Sequence, residues 1–445
     1  MELDFTKKLN QMNTSWNDAC FQSGKSFTLF GPKGSGKTRI AQDFARSHKG
    51  VFYLSFEHQD PRAALAQFCR MFLPEYGDIH DWDDAVKAFL ASRQSGRKLI
   101  IFEDEQNASM EQCRAAFCSQ RGGMRNLIFC FISRECKETD NRNVSANYFT
   151  IADVCRSFPA YAKQDAVRLH ALTGGIPAIL KELDAESDYN DAVRKLLSYD
   201  SAFSTLLPQW LNDCFRSPES YYPILKSISC KHHRLSEIAR DIGFPNNKCG
   251  KYLEALIENN FVRAEKPCDR KQATYHIANS YFAACCRYVY GKKPQQIMTP
   301  DALFDYVGQD IDNGLAIPEF HKACLRYLQS AKYELSHRLY DAHPKEIKKS
   351  VPVTLKDGSK VILDYCVLKK EDALFCVFPH SLTMRYTKDE MERIYEAVQQ
   401  YERLYNAHIV VFSLERFSDW CVHEASMNSQ LYLVTIERLK YRWFE

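Results

Sequence analysis

One stretch of eight residues constrains this chain more than any other: Gly31, Pro32, Lys33, Gly34, Ser35, Gly36, Lys37 and Thr38. It spells G-x-x-x-x-G-K-T. Before it, the apolar run 27–30 predicts a buried strand, and after it the amphipathic pattern 39–45 predicts a helix. A glycine-rich turn can direct several backbone N–H groups at one anion, and the following helix adds its positive end. The stretch therefore predicts a loop that binds the phosphates of a nucleoside triphosphate.

Two side chains of this loop have the chemistry to act on the bound nucleotide. Lys37 is expected to reach the β- and γ-phosphates, and the Thr38 hydroxyl is expected to ligate Mg²⁺. The loop residues before them, 31–36, are expected to line the phosphates. ATP and Mg²⁺ are therefore the expected cofactors.

An acidic cluster follows a second apolar run. Residues 98–102 predict a buried parallel strand that delivers carboxylates at its carboxyl end. We favour Glu103 as the acid of the Mg²⁺ shell and Asp104 as the acid that orients the attacking water. The alternative pair is Asp104 and Glu105, displaced by one residue. In the favoured pair the usual order of Asp and Glu is inverted, and the shorter Asp104 predicts slow hydrolysis.

A further apolar run, 126–132, predicts a strand that ends at Ser133 and Arg134. In P-loop ATPases with an additional strand, a polar residue at this strand end senses the γ-phosphate, so both residues are candidates for that role, with Arg134 supplying positive charge. An ordinary polar strand end is the alternative. Strands that alternate with helices predict an α/β domain with a mostly parallel sheet.

The stretch Thr173-Gly174-Gly175-Ile176-Pro177 resembles the T-G-G-x-P motif of the archaeal-type ATPases in the STAND branch of AAA-like P-loop proteins. The resemblance implies a helical lid in which Gly175 and Pro177 lie close to the nucleotide. It also favours the pair Glu103 and Asp104, because Gln106 then stands where relatives carry a glutamine. A structural corner between two helices is the alternative.

Three helical patterns and two β-like runs between 219 and 292 predict a winged helix, which resembles the corresponding segment of the same ATPase family. The third helix carries Lys248 and Lys251, but also Glu254 and Glu258. These lysines suit phosphate contacts and make a weak set for reading bases. Two roles stay open for this segment, a protein arm and a DNA-binding surface.

The order α-β-β-α-β beyond residue 297 resembles the restriction-endonuclease-like domain fused to these ATPases. An active enzyme of that type needs a helix Glu, a strand Asp and a Glu-x-Lys on the next strand. Glu319 and Asp364 match the first two, whereas the run 374–378 has neither carboxylate nor lysine. We therefore expect a degenerate domain that does not cleave DNA.

These features predict an ATPase domain at 1–160, a helical lid at 161–218, a winged helix at 219–292 and a degenerate nuclease-like α/β domain at 297–445. The net charge of +3 on 445 residues gives no global basic field. The 17 cysteines are scattered without a C-x-x-C pair, which favours a reducing, cytoplasmic setting. No window of about 20 residues lacks charge, so no membrane span is expected.

Taken together, the sequence predicts an ATP-binding molecular switch that hydrolyses ATP slowly to ADP and acts on an unidentified protein partner. The alternative is a nucleotide-gated DNA-binding regulator or defence component, with DNA contacted through the winged helix. An active nuclease is disfavoured.

Overall fold

The structure, a computed structural model, describes residues 6–21, 26–56, 60–75, 79–92, 97–103, 108–120, 127–134, 143–265, 273–290, 299–330, 346–368, 372–400 and 406–436. The chain divides into two compact units. The first comprises residues 2–148 together with 176–181, and the second comprises 149–175 together with 182–445.

The first unit alternates helices with short strands. Its elements up to residue 148 are α1 (Thr6–Phe21), β1 (Phe27–Phe30), α2 (Lys37–Ser47), β2 (Val51–Leu54), α3 (Pro61–Phe72), α4 (Trp82–Ser92), β3 (Lys98–Phe102), α5 (Ala108–Gln120), β4 (Leu127–Ser133) and β5 (Val144–Ser145).

These five strands form one parallel sheet in the order β2-β3-β4-β1-β5. Strand β4 follows β3 in the chain and lies between β3 and β1. As a result, Ser133 at the carboxyl end of β4 is aligned with Phe30 at the carboxyl end of β1. The parallel sheet confirms the predicted α/β class of this unit.

Two buried clusters cover the faces of the sheet. One contains Phe68, Phe89 and Phe117 from α3, α4 and α5, and the other contains Ile40 and Phe44 from α2. Because both faces are covered, β3 is buried along its whole length. This explains why β3 is an unbroken apolar run after its first residue.

The second unit begins with helices. They are α6 (Ile151–Ser157), α7 (Lys163–Thr173), α9 (Tyr189–Leu196) and α10 (Ala202–Cys214), while the single turn α8 (Pro177–Leu180) belongs to the first unit. Gly174 follows the last residue of α7 and has a left-handed φ of +60°, and α8 has Pro177 in its first turn. Both residues occupy the helix positions that their chemistry favours.

Three helices and an antiparallel two-stranded ribbon follow: α11 (Tyr222–Ser229), α12 (Leu235–Asp241), α13 (Asn246–Glu258), β6 (Val262–Glu265) and β7 (Thr274–Ile277). Helix α14 (Ser280–Ala284) comes next and runs into a π-helical turn, Cys285–Val289. The order of helices and strands is the one expected from the sequence. Its assignment as a winged helix stays a prediction.

The remainder of the second unit contains a second sheet. Its elements are α15 (Pro300–Ile311), a π-helical turn (Asp312–Ala316), α16 (Ile317–Ser330), β8 (Glu346–Thr354), β9 (Lys360–Leu368), β10 (Asp372–Val377), α17 (Lys388–Gln399), β11 (Asn406–Ser413), α18 (Asp419–Met427) and β12 (Leu431–Thr435). The strand order is β12-β11-β10-β9-β8. The pairs β8–β9 and β9–β10 are antiparallel, whereas β10–β11 and β11–β12 are parallel.

This sheet has two strands more than the sequence pattern predicts. The additional strands, β8 and β12, are its two edges, and β8 carries Lys348, Lys349 and Pro352. Charged residues and proline are typical of edge strands, and they hide the alternating apolar pattern. The central strand β10 is buried from Ala373 to Val377, as expected for the run that lacks a carboxylate and a lysine.

The longest helix that the structure describes, α1, has 16 residues. Among the described residues, no helix is both long and apolar enough to cross a lipid bilayer.

Candidate nucleotide-binding site

The loop between β1 and α2 has the backbone of an anion-binding turn. Gly34 and Gly36 adopt left-handed φ angles of +79° and +88°, which a residue with a Cβ adopts only with strain. No side chain caps the amino end of α2, so no capping side chain competes with an anion at this end of the helix. The Ser35 hydroxyl is buried and has no hydrogen-bond partner within the described part of the chain. These are the groups that a bound phosphate can satisfy.

Lys37 begins α2 and folds back over the loop. Its Nζ donates hydrogen bonds to the carbonyl oxygens of Gly31, at 2.7 Å, and of Pro32, at 2.9 Å. The ammonium group is therefore held at the loop, where it can attract an anion.

The next residue along α2 reaches the acidic cluster. The Thr38 hydroxyl donates a hydrogen bond to Oε1 of Glu103, although 65 positions separate the two residues. Glu103 is 9% exposed and directly follows β3, and its N–H donates to the Leu54 oxygen at 2.9 Å. A hydroxyl beside a carboxylate supplies the hard oxygen ligands that Mg²⁺ prefers. The residues present therefore fit the metal expected from the sequence.

The second acid of the cluster lies outside the described residues. This holds for Asp104, for the alternative Glu105 and for Gln106. The register of the acid pair and the role of Asp104 stay predictions.

The carboxyl end of β4 adjoins the start of the loop. The Gly31 N–H donates to the Ser133 oxygen at 3.2 Å, and Arg134 follows as an exposed side chain. The strand order thus places both residues at the edge of the sheet from which the loop departs. That they sense the γ-phosphate stays a prediction.

Residues 143–148, here called the brace segment, pack against the loop. Its strand β5 pairs with β1, and the Ala146 N–H donates to the Phe30 oxygen at 2.7 Å. The Tyr148 hydroxyl donates to the Lys33 oxygen at 2.8 Å, and burial raises the pKa of this tyrosine. No sequence pattern marks this segment, because its strand has only two residues and its contacts are made to backbone carbonyls.

The two glycines of the Gly-Gly-x-Pro corner are hydrogen-bonded within the second unit. The Asn279 amide donates to the Gly174 oxygen at 3.1 Å, and the Phe149 N–H donates to the Gly175 oxygen at 2.8 Å. Gly175, with a φ of +67°, ends this stretch of the second unit, and Pro177 lies in the first unit. The approach of these two residues to a nucleotide stays a prediction.

The carboxylate of Glu319, one of the two expected from the nuclease pattern, is buried and paired. It accepts a hydrogen bond from Lys322 Nζ at 3.0 Å and lies 3.9 Å from His170 Nδ1. Burial alone would raise the pKa of Glu319, but the ammonium group of Lys322 beside it holds this pKa below its ordinary value.

The second such carboxylate, Asp364, is also buried. It accepts a hydrogen bond from the Phe378 N–H at 2.8 Å and lies 3.5 Å from His380 Nε2. Within the described ranges, no group of three or more His, Cys, Asp or Glu side chains could hold a metal ion.

No protein-family model matches the chain. An uncharacterized protein of Methanocaldococcus jannaschii is 26% identical over 153 residues, which are 33% of this chain and 34% of the relative. This chain thus spans about a third of the length of that relative.

Several solved structures match this chain at low similarity. Drosophila ORC bound to DNA is 10% identical with a TM-score of 0.29, and the match covers 64% of this chain and 86% of that one. RuvB of Thermotoga maritima is 14% identical with a TM-score of 0.31, covering 59% and 90%. Protein VC1899 of Vibrio cholerae is 10% identical with a TM-score of 0.21, covering 93% and 95%. Likeness at this level carries no argument about function.

Proposed function

We propose that this protein is an ATP-binding molecular switch that hydrolyses ATP slowly with Mg²⁺. The observation that carries the proposal is the hydrogen bond from Thr38 in the loop to Glu103 after β3. It joins the two residues expected to hold Mg²⁺, beside a lysine that already lies at the loop carbonyls.

Each group then has a distinct task. Loop N–H groups and Lys37 bind the β- and γ-phosphates, and Thr38 and Glu103 hold the metal, whose charge stabilises the transferring phosphoryl group. Ser133 and Arg134 contact the γ-phosphate from the end of β4. Asp104 orients the attacking water.

Slow turnover follows from the order of the acids. Aspartate is shorter than glutamate by a methylene group, so Asp104 holds the attacking water less closely than a glutamate would. A long-lived ATP state suits a switch better than a motor, with hydrolysis to ADP as the reset step.

The family and the accessory domains belong to the same proposal. We assign the chain to the archaeal-type ATPases of the STAND branch, acting in the cytoplasm on a protein partner. Residues 219–292 serve as the winged helix. The mixed sheet of the second unit is a degenerate restriction-endonuclease-like domain kept for binding or assembly, since Glu319 pairs with Lys322 and Asp364 with His380.

The test is a lysine substitution in the loop. Lys37→Ala should abolish tight binding of ATP, by at least about a hundredfold in Kd, because it removes a charged contact to two phosphates. Binding is measured by calorimetric titration with Mg²⁺ present, and thermal unfolding checks that the fold persists.

Lys87→Ala is the matched control. Lys87 is an exposed lysine on α4 of the same unit, paired only loosely with Asp84 at 3.5 Å. Its removal should leave ATP affinity unchanged. A folded Lys37→Ala protein with wild-type affinity would contradict the proposed function.

A DNA-binding regulator is the second candidate. Lys248 and Lys251 on α13 and Arg263 on β6 are exposed, as phosphate contacts require. Binding to duplex DNA that weakens steeply with salt, and that depends on ATP, would favour this candidate over a switch with a protein partner.

A further inference from the structure

The hydrogen bond from Tyr148 to the phosphate loop fixes the direction of one backbone N–H group of that loop. In a planar trans peptide the C=O and the following N–H point in opposite directions. The Lys33 oxygen accepts the hydroxyl proton of Tyr148 at 2.8 Å. The N–H of the same peptide, which belongs to Gly34, must therefore point away from Tyr148.

Among the residues that the structure describes, the Gly34 N–H has no hydrogen-bond acceptor. Its residue holds the left-handed φ of +79° that turns a loop N–H toward a common anion. A backbone donor that has a fixed direction and no acceptor among the described residues is suited to donate a hydrogen bond to a phosphate oxygen.

We propose that Tyr148 is a positioning residue of the phosphate loop. Its hydroxyl fixes the peptide between Lys33 and Gly34 so that the Gly34 N–H is presented to the polyphosphate chain of the nucleotide. Tyr148 thus acts through the backbone. Its effect is on the binding of the phosphates, not on the binding of the nucleotide base. This inference rests on the proposed binding of ATP.

The remaining contacts of the brace segment support this role. Ala146 bonds to the last residue of β1, and the Asn143 side chain accepts a hydrogen bond from the Thr28 N–H at 2.8 Å. The segment is therefore anchored along β1 before it reaches the loop. An anchored tyrosine can hold a peptide plane more firmly than a free side chain can.

Tyr148→Phe removes the hydroxyl and keeps the ring. The probes are ATP and inorganic tripolyphosphate, each titrated with Mg²⁺ against the wild-type protein and the variant. Loss of one neutral hydrogen bond corresponds to roughly a three- to tenfold change in Kd. We expect a loss of this size with both probes, because tripolyphosphate lacks a base and uses only the loop.

Tyr53→Phe is the matched control, since Tyr53 lies on β2 at the opposite edge of the same sheet. It should bind both probes like the wild type. Thermal unfolding of each protein fixes a temperature at which all are folded, so a loss of affinity cannot come from loss of fold.

Three other outcomes would contradict the inference. Weaker binding of ATP with unchanged binding of tripolyphosphate would place Tyr148 at the base and overturn the inference. Unchanged affinity for both probes would also overturn it. A folded wild-type protein that binds neither probe would overturn the proposed function, and the inference with it.

Discussion

An alanine at Gly31 tests how closely the brace segment packs on the loop. Its Cβ would lie 2.2 Å from the Ala146 oxygen and 3.1 Å from Ser35 Oγ, and Cβ contacts under 3.0 Å essentially never occur. The backbones must therefore separate by at least 0.8 Å, the difference between 3.0 and 2.2 Å. Ala146 cannot yield freely, because its N–H is bonded to the Phe30 oxygen at 2.7 Å.

The magnitude follows from the cost of overpacking. Inserting a methyl group into a closely packed site destabilises a protein by about 1–3 kcal/mol. In a unit of this size, each kcal/mol lowers the Tm by roughly 2–4 °C. Gly31→Ala should therefore lower the Tm by about 2–12 °C. Because the displaced residue starts the phosphate loop, it should also weaken ATP binding by at least about tenfold.

Thermal unfolding and ATP titration measure the two effects. Gly250→Ala is the control, because Gly250 lies within α13 and a Cβ there has no atom within 4 Å. That substitution should raise stability by about 1 kcal/mol through helix propensity. A Gly31→Ala protein with the Tm and the ATP affinity of the wild type would refute the packing argument.

The acid pair and the second sheet can be tested by substitution as well. Asp104→Asn should bind ATP normally and hydrolyse it far more slowly, whereas Glu105→Gln should hydrolyse it at nearly the wild-type rate. Both rates are measured by phosphate release. The reverse result would show that the acid pair is Asp104 and Glu105. Hydrogen bonding to Asp364 raises the pKa of His380 despite its burial. The pair of His380 and Asp364 therefore stabilises the fold fully below a pH of about 6.5, the ordinary pKa of histidine. This stabilisation is lost as the pH rises through the raised pKa that His380 has in the folded protein. Asp364→Asn should flatten that part of the Tm profile; an unchanged profile would show that the pair contributes nothing.

The loop and the meeting of Thr38 with Glu103 could be predicted because their signals are local. A strand, a glycine-rich turn and a helix N-terminus follow one another in the chain, so the pattern and the structure coincide at Lys37 and Thr38. Glu103 was predictable for a similar reason, since it ends an apolar run that can only be a buried strand. The hydrogen bond between Thr38 and Glu103 needs only that β1 and β3 share one parallel sheet, which the α/β pattern implies.

The brace segment could not be predicted, because its role depends on strand order. Strand β5 has two residues and pairs with β1 at the edge of the sheet, so it has no apolar period to detect. Tyr148 acts on the carbonyl of Lys33, and every residue has a carbonyl. A sequence pattern reports side chains, whereas this contact is made to the backbone.

Glu319 shows a different limit of the sequence pattern. The nuclease resemblance assigns this glutamate to a metal site, but the pattern cannot show which side chains meet it in space. A buried carboxylate needs compensating charge or hydrogen bonds. Lys322, one turn further along α16, supplies that charge at 3.0 Å, and His170 of α7 lies 3.9 Å away. Glu319, which the pattern assigns to catalysis, thus lies between α7 and α16 of the second unit. A structural role between these two helices accounts for its burial without a metal.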